Sequence, residues 1–364
     1  MTTAAQQTGS DILLLAQPLR RLVLKQAPSP ARVTGVRFIT GMVVLPVPMS
    51  VVAARWRQPH SSVWGKSFRI DIRQVQDLGE TLDFIEQLSF PLPMGHWRMH
   101  LHMRQDNRAD GSWQRELLAG PLTASLSHYE LFALDSHHCL LVLTHWSHIE
   151  GDNWFYRLLL KAQPQIATAL PWIVVASTLA AARQQFGEMP AQRRSSYIDG
   201  ALRIQATVPI APGQQWVSID GHLRMSASAA LQRLAQVQRY PEFLHLVRHV
   251  DVQAQGSRTL THWQLQFDLG LWHQHLEQDL FMQRHANSLY FWHAASADSA
   301  RIDALWQILP ARDGADSRLS INHQGDSLGG LFDILSYSPY PQIDEALIAD
   351  ILLMHRSRHW LETP

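Results

Sequence analysis

Cysteine is nearly missing from this chain: Cys139 is the one thiol in 364 residues. An internal disulfide framework is therefore excluded, and so is a thiolate-rich zinc site. Such usage fits a reducing compartment. Net charge is missing too, because 31 Lys and Arg offset 31 Asp and Glu. The bulk basic footprint of a nucleic-acid binder is absent. The N-terminus, MTTAAQQTGSDILLLAQPLRRL, has no basic leader and too short an apolar run for a secretory signal, so a cytoplasmic location is expected. The uncharged stretch from Gln165 to Ala182 is about the minimum length of a membrane span, but it contains Pro171 and is rich in Ala rather than Leu. It reads as a long helix lying on a sheet, and no integral membrane segment is expected. Neither Gly-x-Gly-x-x-G nor His-Glu-x-x-His occurs.

Two near-motifs are set aside. In GDSLGG (Gly325 to Gly330), Leu328 splits the Gly-Asp-Ser-Gly-Gly that surrounds a serine-protease nucleophile. HSSVWGKS ends like a phosphate-binding loop, but His60 stands where the first glycine belongs. What the chain does have is 20 His, 46% hydrophobic residues and strong periodicity.

The second half reads as a strand, a helix, a run of about six strands and a long helix. WVSIDGHLRM is the opening strand. The helix from about Ser228, with Ser226 or Ser228 as N-cap, is ended by Pro241, which disfavours helical geometry in the residue before it. LVRHVDVQA, TLTHWQLQFDL, HLEQDLFMQ, SLYFWHA, IDALWQILP and SRLSINHQ are short, and several alternate apolar with polar residues, the mark of a sheet with one wet face. The Asp-Gly in RDGADS (Arg312 to Ser317) signals a hairpin. Ile343, Leu347, Ile351 and Met354 have helical spacing. An apolar sheet face must be buried, and the terminal helix is the obvious cover.

The first half repeats this order more faintly. GVRFITGMVVLPV opens it, and a short helix starts at Pro48 and meets Pro59. Six strand-like segments follow from Lys66 to His148, and a helix runs on to Phe186. The Pro-, Gly- and Ser-bearing stretch that follows is a connector.

YPEFLHLVRHVDV (Tyr240 to Val252), the strand pair ALWQILPARDGADSRLSINH (Ala304 to His323) and the closing helix carry a resemblance. Residues 215–361 resemble the START-like, or helix-grip, superfamily, in its polyketide cyclase and coenzyme Q-binding branch. The first half looks like a degenerate copy, with WRQPHSSVWGKSFRI at the helix corner. Tandem copies are the arrangement of di-domain polyketide aromatase/cyclases. The resemblance implies an α+β fold of two tandem helix-grip domains, 30–186 and 215–361, joined by a linker over 187–214. Each is an antiparallel sheet wrapped around a long C-terminal helix, with a cavity between. It also implies a hydrophobic ligand such as a polyketide, quinone or lipid, with no cofactor. A polyketide cyclase/aromatase promoting aldol cyclisation and dehydration is the alternative, with an acyl carrier protein as its partner. A non-binding structural or interaction module is the third reading.

Within that frame LVLTH and LSINH both fit Leu-x-(Leu/Ile)-x-His, each on the last strand before a closing helix. Alternation puts His145 on the face of Leu141 and Leu143, and His323 on the face of Leu319 and Ile321. An imidazole there could move a proton in an enolisation or dehydration, or simply be a satisfied strand-end group. In HWRMHLHM, Trp97, Met99, Leu101 and Met103 are the expected cavity lining. His96, Arg98, His100 and His102 share the opposite face, which is read as solvent-facing and not as a metal site. In the inverted register, Arg98 would be a cavity cation for an enolate or carboxylate. Leu143, Trp263, Leu265, Phe267, Trp306 and Ile321 complete the expected ligand-binding set, the aromatic rings serving as stacking walls or as ordinary core.

Overall fold

The computed structural model describes residues 12–18, 37–59, 62–64, 68–92, 95–122, 124–148, 157, 160–161, 166–187, 201–206, 217–244, 246–255, 258–269, 272–293, 302–311, 314–325 and 341–363. The chain divides into two compact units. Unit 1 takes in Met1–Asp152, Leu170–Arg203 and Tyr337–Pro339, and unit 2 takes in Asn153–Ala169, Ile204–Ser336 and Tyr340–Pro364.

Unit 1 holds β1 (Ile12–Pro18), β2 (Arg37–Leu45), α1 (Met49–Trp56), β3 (Ser62–Trp64), β4 (Phe68–Asp77), β5 (Thr81–Leu92), β6 (Gly95–Asn107), β7 (Trp113–Ala119), β8 (Ala124–Ala133) and β9 (Cys139–His148). Strands β3 to β9 form an antiparallel meander, and β2 pairs antiparallel with β9 on one side and β1 on the other. Helix α2 (Ile166–Phe186) follows. It buries Trp172, Val175, Ala176, Leu179 and Ala182, a stripe at helical spacing. None of the described helices is long and apolar enough to cross a membrane.

Strand β10 (Ala201–Ala206) lies in the stretch expected to be a plain connector. Unit 2 then holds β11 (Val217–Leu223), α3 (Ala227–Leu234), a 3-10 turn (Val237–Glu242), β12 (Val247–Gln255), β13 (Arg258–Leu269), β14 (Trp272–Arg284), β15 (Ser288–His293), β16 (Ile302–Pro310), β17 (Ser317–Gly325) and α4 (Pro341–Glu362). Strands β12 to β17 form a second antiparallel meander, and β11 pairs antiparallel with β17. Gly314, at φ +70°, sits in the hairpin that the Asp-Gly pair signals. Helix α4 packs on β11 and β17.

The helix corner of unit 2 differs from expectation. Ser226 caps α3 by accepting from the Ala229 amide, but the α-helix stops at Leu234, well before Pro241. The chain then tightens into the 3-10 turn, which contains Pro241. The reason lies in Tyr240. Its hydroxyl donates 2.8 Å back to the Leu234 carbonyl, one of the groups a helix end leaves unpaired. Its ring is 1% exposed and meets Trp306 stacked at 5.6 Å, with Trp263 and Phe243 edge-on at 5.5 and 5.1 Å. Phe243 stacks on Trp360 of α4 at 4.6 Å, and the Trp360 indole donates to Glu242 at 2.9 Å. An aromatic cluster thus welds the corner to the sheet and to α4.

Truncating Tyr240 to Ala is expected to cost about 3–5 kcal/mol. Tyr240→Phe, which strands only the Leu234 carbonyl, is expected to cost about 1–2 kcal/mol. Urea denaturation of both variants checks this; a Phe variant as stable as the parent would remove the hydroxyl from the account.

Candidate functional site

Residues paired across neighbouring strands share a sheet face, so the ladders of unit 1 can be read as rows. One row runs Ile39, His145, Ser127, Arg115, Gln105, Leu82 across β2, β9, β8, β7, β6 and β5. The next runs Gly41, Leu143, Tyr129, Trp113, Asn107. On the same face of β5, Phe84, Glu86 and Leu88 follow Leu82. Helix α1 covers this face: Trp56 meets Tyr129 edge-on at 6.5 Å, and its indole donates 2.8 Å to Gln185 of α2. The wall is mostly apolar, with Val43, Leu45, Leu141, Leu143, Phe84 and Met103 buried.

Arg115 is the polar centre of this face. Its Nε donates 2.8 Å to Gln105 and a terminal nitrogen donates 3.3 Å to the Trp56 carbonyl. Glu86 lies 4.0 Å from the guanidinium, which also sits over the rings of Tyr129 and Phe84 at 5.4 and 5.8 Å. Gln105 in turn donates to the Arg57 carbonyl and, at 2.9 Å, to Asn107. The C-terminal carbonyls of α1, which have no partner inside the helix, are thus taken up by side chains of the sheet. Burial raises the Glu86 carboxyl above its ordinary range, a rise that Arg115 only partly offsets. Burial likewise raises the Tyr129 phenol, which hydrogen-bonds Ser127 and Arg115.

Hydrogen bonding continues from Ser127 to His145, whose Nδ1 lies 2.8 Å from the Ser127 hydroxyl. The His145 ring is 2% exposed, and burial pushes it down to about 3, so the imidazole is neutral at ordinary pH. Its Nε2 is buried with no hydrogen-bond partner among the described residues, as are Trp113 Nε1 and Ser147 Oγ on the same face. Unpaired buried polar atoms are uncommon and costly. Whichever tautomer is present, a ligand hydroxyl would satisfy Nε2, and a carbonyl would satisfy its N–H form.

The expected residues fall out as follows. His145, Leu143, Met99 and Leu101 are buried on this one face of unit 1. Arg98, His100 and His102 are exposed on the opposite face; Arg98 is therefore not brought together with His145, and Arg115 is the cation on the inner face. Trp97 pairs with Phe90 in the ladder, but its side chain and that of His96 lie outside the described residues. In unit 2, Trp263 and Trp306 are buried in the Tyr240 cluster, Ile321 is buried and Leu265 is half-buried. His323 pairs with Ala304 and Val217 in the ladders, but its side chain and that of Phe267 are outside the described residues. Among the described residues no group of three or more His, Cys, Asp or Glu could hold a metal ion.

Sequence reading passed over Arg115, Glu86, Ser127, Tyr129 and Trp113. Part of the signal was present: Glu86 falls in the apolar column of Leu82, Phe84 and Leu88, and a charge in such a column marks a buried polar site. Which residues meet across strands depends on register between distant segments.

No protein-family model and no curated protein matches the chain. Among solved structures it is similar to the di-domain ARO/CYC BexL from the BE-7585A biosynthetic pathway, at 10% identity and TM-score 0.31, over 90% of this chain and 96% of that one. It is similar to the di-domain ARO/CYC StfQ from the steffimycin pathway at 10% identity and TM-score 0.32, over 89% and 98%. A START superfamily protein from Mycobacterium smegmatis is similar at 12% identity and TM-score 0.32, over 41% of this chain and 98% of its own.

Two outcomes are expected at this face. Replacing Arg115 by Met strands the Trp56 carbonyl, Gln105 and Glu86 together and should cost about 3 kcal/mol or more; calorimetry on the variant tests this. For His145, the folded ring binds its proton only near pH 3, whereas the unfolded chain binds one near 6.5. Stability is then complete above about 6.5 and falls as pH drops toward 3, by about 1.4 kcal/mol per unit at most. Glu86 has the opposite sign, its burial penalty growing as pH rises through the carboxylate range. His355 of unit 2, pushed down to about 4, has the same sign as His145. His145→Gln should flatten the loss between pH 7 and 5 in urea melts; an unchanged slope would show that this imidazole does not titrate on unfolding.

Proposed function

We propose that this chain binds a hydrophobic small molecule, of the polyketide, quinone or lipid class, in a helix-grip cavity. Domains 30–186 and 215–361, joined over 187–214, each set a sheet against a long C-terminal helix in this reading. The observation that carries it is the Nε2 of His145, buried without a hydrogen-bond partner among the described residues in a wall that is mostly apolar. Such a surface suits a ligand that is mostly apolar and offers one or two hydrogen-bonding oxygens. Trp113 Nε1 and Ser147 Oγ supply further anchor points on the same face.

A cyclase/aromatase acting on a carrier-protein-bound chain is the second reading. Its support is the row of Glu86, Arg115, Tyr129, Ser127 and His145, a hydrogen-bonded and charged array where an enolate could be stabilised. Binding is favoured because a base works best with a pKa near the working pH. An imidazole pushed down to about 3 anchors a ligand well and abstracts a proton poorly. A proton-handling role falls more naturally to Glu86, whose carboxyl burial raises. For His323 the reading is a corresponding anchor in unit 2.

Native mass spectrometry of the purified chain, with organic extraction, tests the proposal. A bound aromatic or lipidic compound is expected, and His145→Leu should weaken its retention roughly tenfold, the worth of one lost hydrogen bond. A chain that is empty, and that stays empty when offered such compounds, would leave the non-binding module as the better account.

A further inference from the structure

Unit 2 contains a buried charge on its closing helix. Arg356, on α4, is 5% exposed. Its Nε and one terminal nitrogen are buried with no hydrogen-bond partner among the described residues. Burial lowers its affinity for its proton, and no carboxylate among the described residues acts in the other direction. The surroundings on the helix are cationic. Arg358 stands two residues on, and its charge helps to hold the His355 imidazole down at about 4. The acid of the last turn, Glu362, is 4.0 Å from Arg358 and accepts from the Arg224 amide. Ser357, wholly buried, also has an unpartnered hydroxyl among the described residues.

A guanidinium stays protonated in proteins. Burying it without a counter-charge is strongly unfavourable, and truncation or pairing relieves the cost. Arg115 of unit 1 shows the usual solution, with two hydrogen-bond acceptors and a carboxylate around it. Arg356 has the burial without that company among the described residues. Its planar fork of donors fits the two oxygens of a carboxylate.

We propose that Arg356 anchors the carboxylate of an otherwise apolar ligand held in unit 2. This rests on the reading that the chain binds a hydrophobic small molecule and adds the charge of its head group. The His145 face of unit 1, where Arg115 is saturated and His145 is neutral, would take neutral hydroxyl or carbonyl groups.

The test compares acids with their methyl esters on the full chain, by calorimetric titration of palmitate against methyl palmitate and of 2-naphthoate against methyl 2-naphthoate. The acid of at least one pair is expected to bind at least tenfold tighter than its ester, and Arg356→Met is expected to abolish that preference. Without ligand, Arg356→Met should melt at or above the parent, since it removes an unpaired buried charge. Esters that bind as tightly as acids, or an acid preference that survives Arg356→Met, would overturn the proposal and leave hydrophobic binding standing. A clear fall in melting temperature on Arg356→Met would reveal a partner within the fold and overturn it as well. Arg356→Lys gives a second check, because it keeps the charge and loses the fork: a weakened preference supports the proposal and an undiminished one overturns it. If no acid and no ester binds the parent chain, the binding reading itself fails and this inference with it.

Discussion

When β2 lies down beside β9, segments far apart in the chain become neighbours, and that pairing completes the inner face of unit 1. On the other face of the same strand pair Thr40 and Thr144, 104 residues apart, share a buried hydrogen bond. The same pairing sets Ile39 opposite His145, extending the row that the meander carries through Ser127 to Arg115. Unit 2 has the counterpart in β11 and β17, with Ile219 opposite Ile321. Contacts of such long range carry a loop-closure entropy cost, so each sheet rests on a pairing between segments distant in the chain.

Both units also face the problem of ending a short helix inside the fold, and they solve it with different chemistry. In unit 1 the carbonyls of Trp56 and Arg57 are taken by Arg115 and Gln105, charged and polar groups sent up from the sheet. In unit 2 a tyrosine hydroxyl reaches back to Leu234 and an aromatic cluster closes around it. The polar solution leaves unit 1 with a hydrogen-bonded array on its inner wall. The aromatic solution uses Trp263 and Trp306 as core, so those rings are committed to Tyr240.

Much of the fold was legible in the letters. TLTHWQLQFDL alternates cleanly and lies within β13, and Pro48 immediately precedes α1. The failures have physical causes. ILLLAQP, which forms β1, is a short apolar run without alternation, and ALRIQA, which forms β10, sits in a segment whose Gly and Pro read as a linker. The early end of α3 follows from a tertiary hydroxyl contact that no local propensity encodes. The candidate site was half legible: the face of His145 follows from alternation, whereas its meeting with Ser127 depends on register between β8 and β9.

Cys139 sits wholly buried at the start of β9, opposite Leu45 of β2. Burial pushes its thiol up to about 11, so in the folded chain it is neither accessible nor ionised. Being the sole thiol in the protein, it is a built-in reporter: a thiol reagent reads when the β2–β9 seam opens, and nothing that happens in unit 2 contributes a sulfur to the signal.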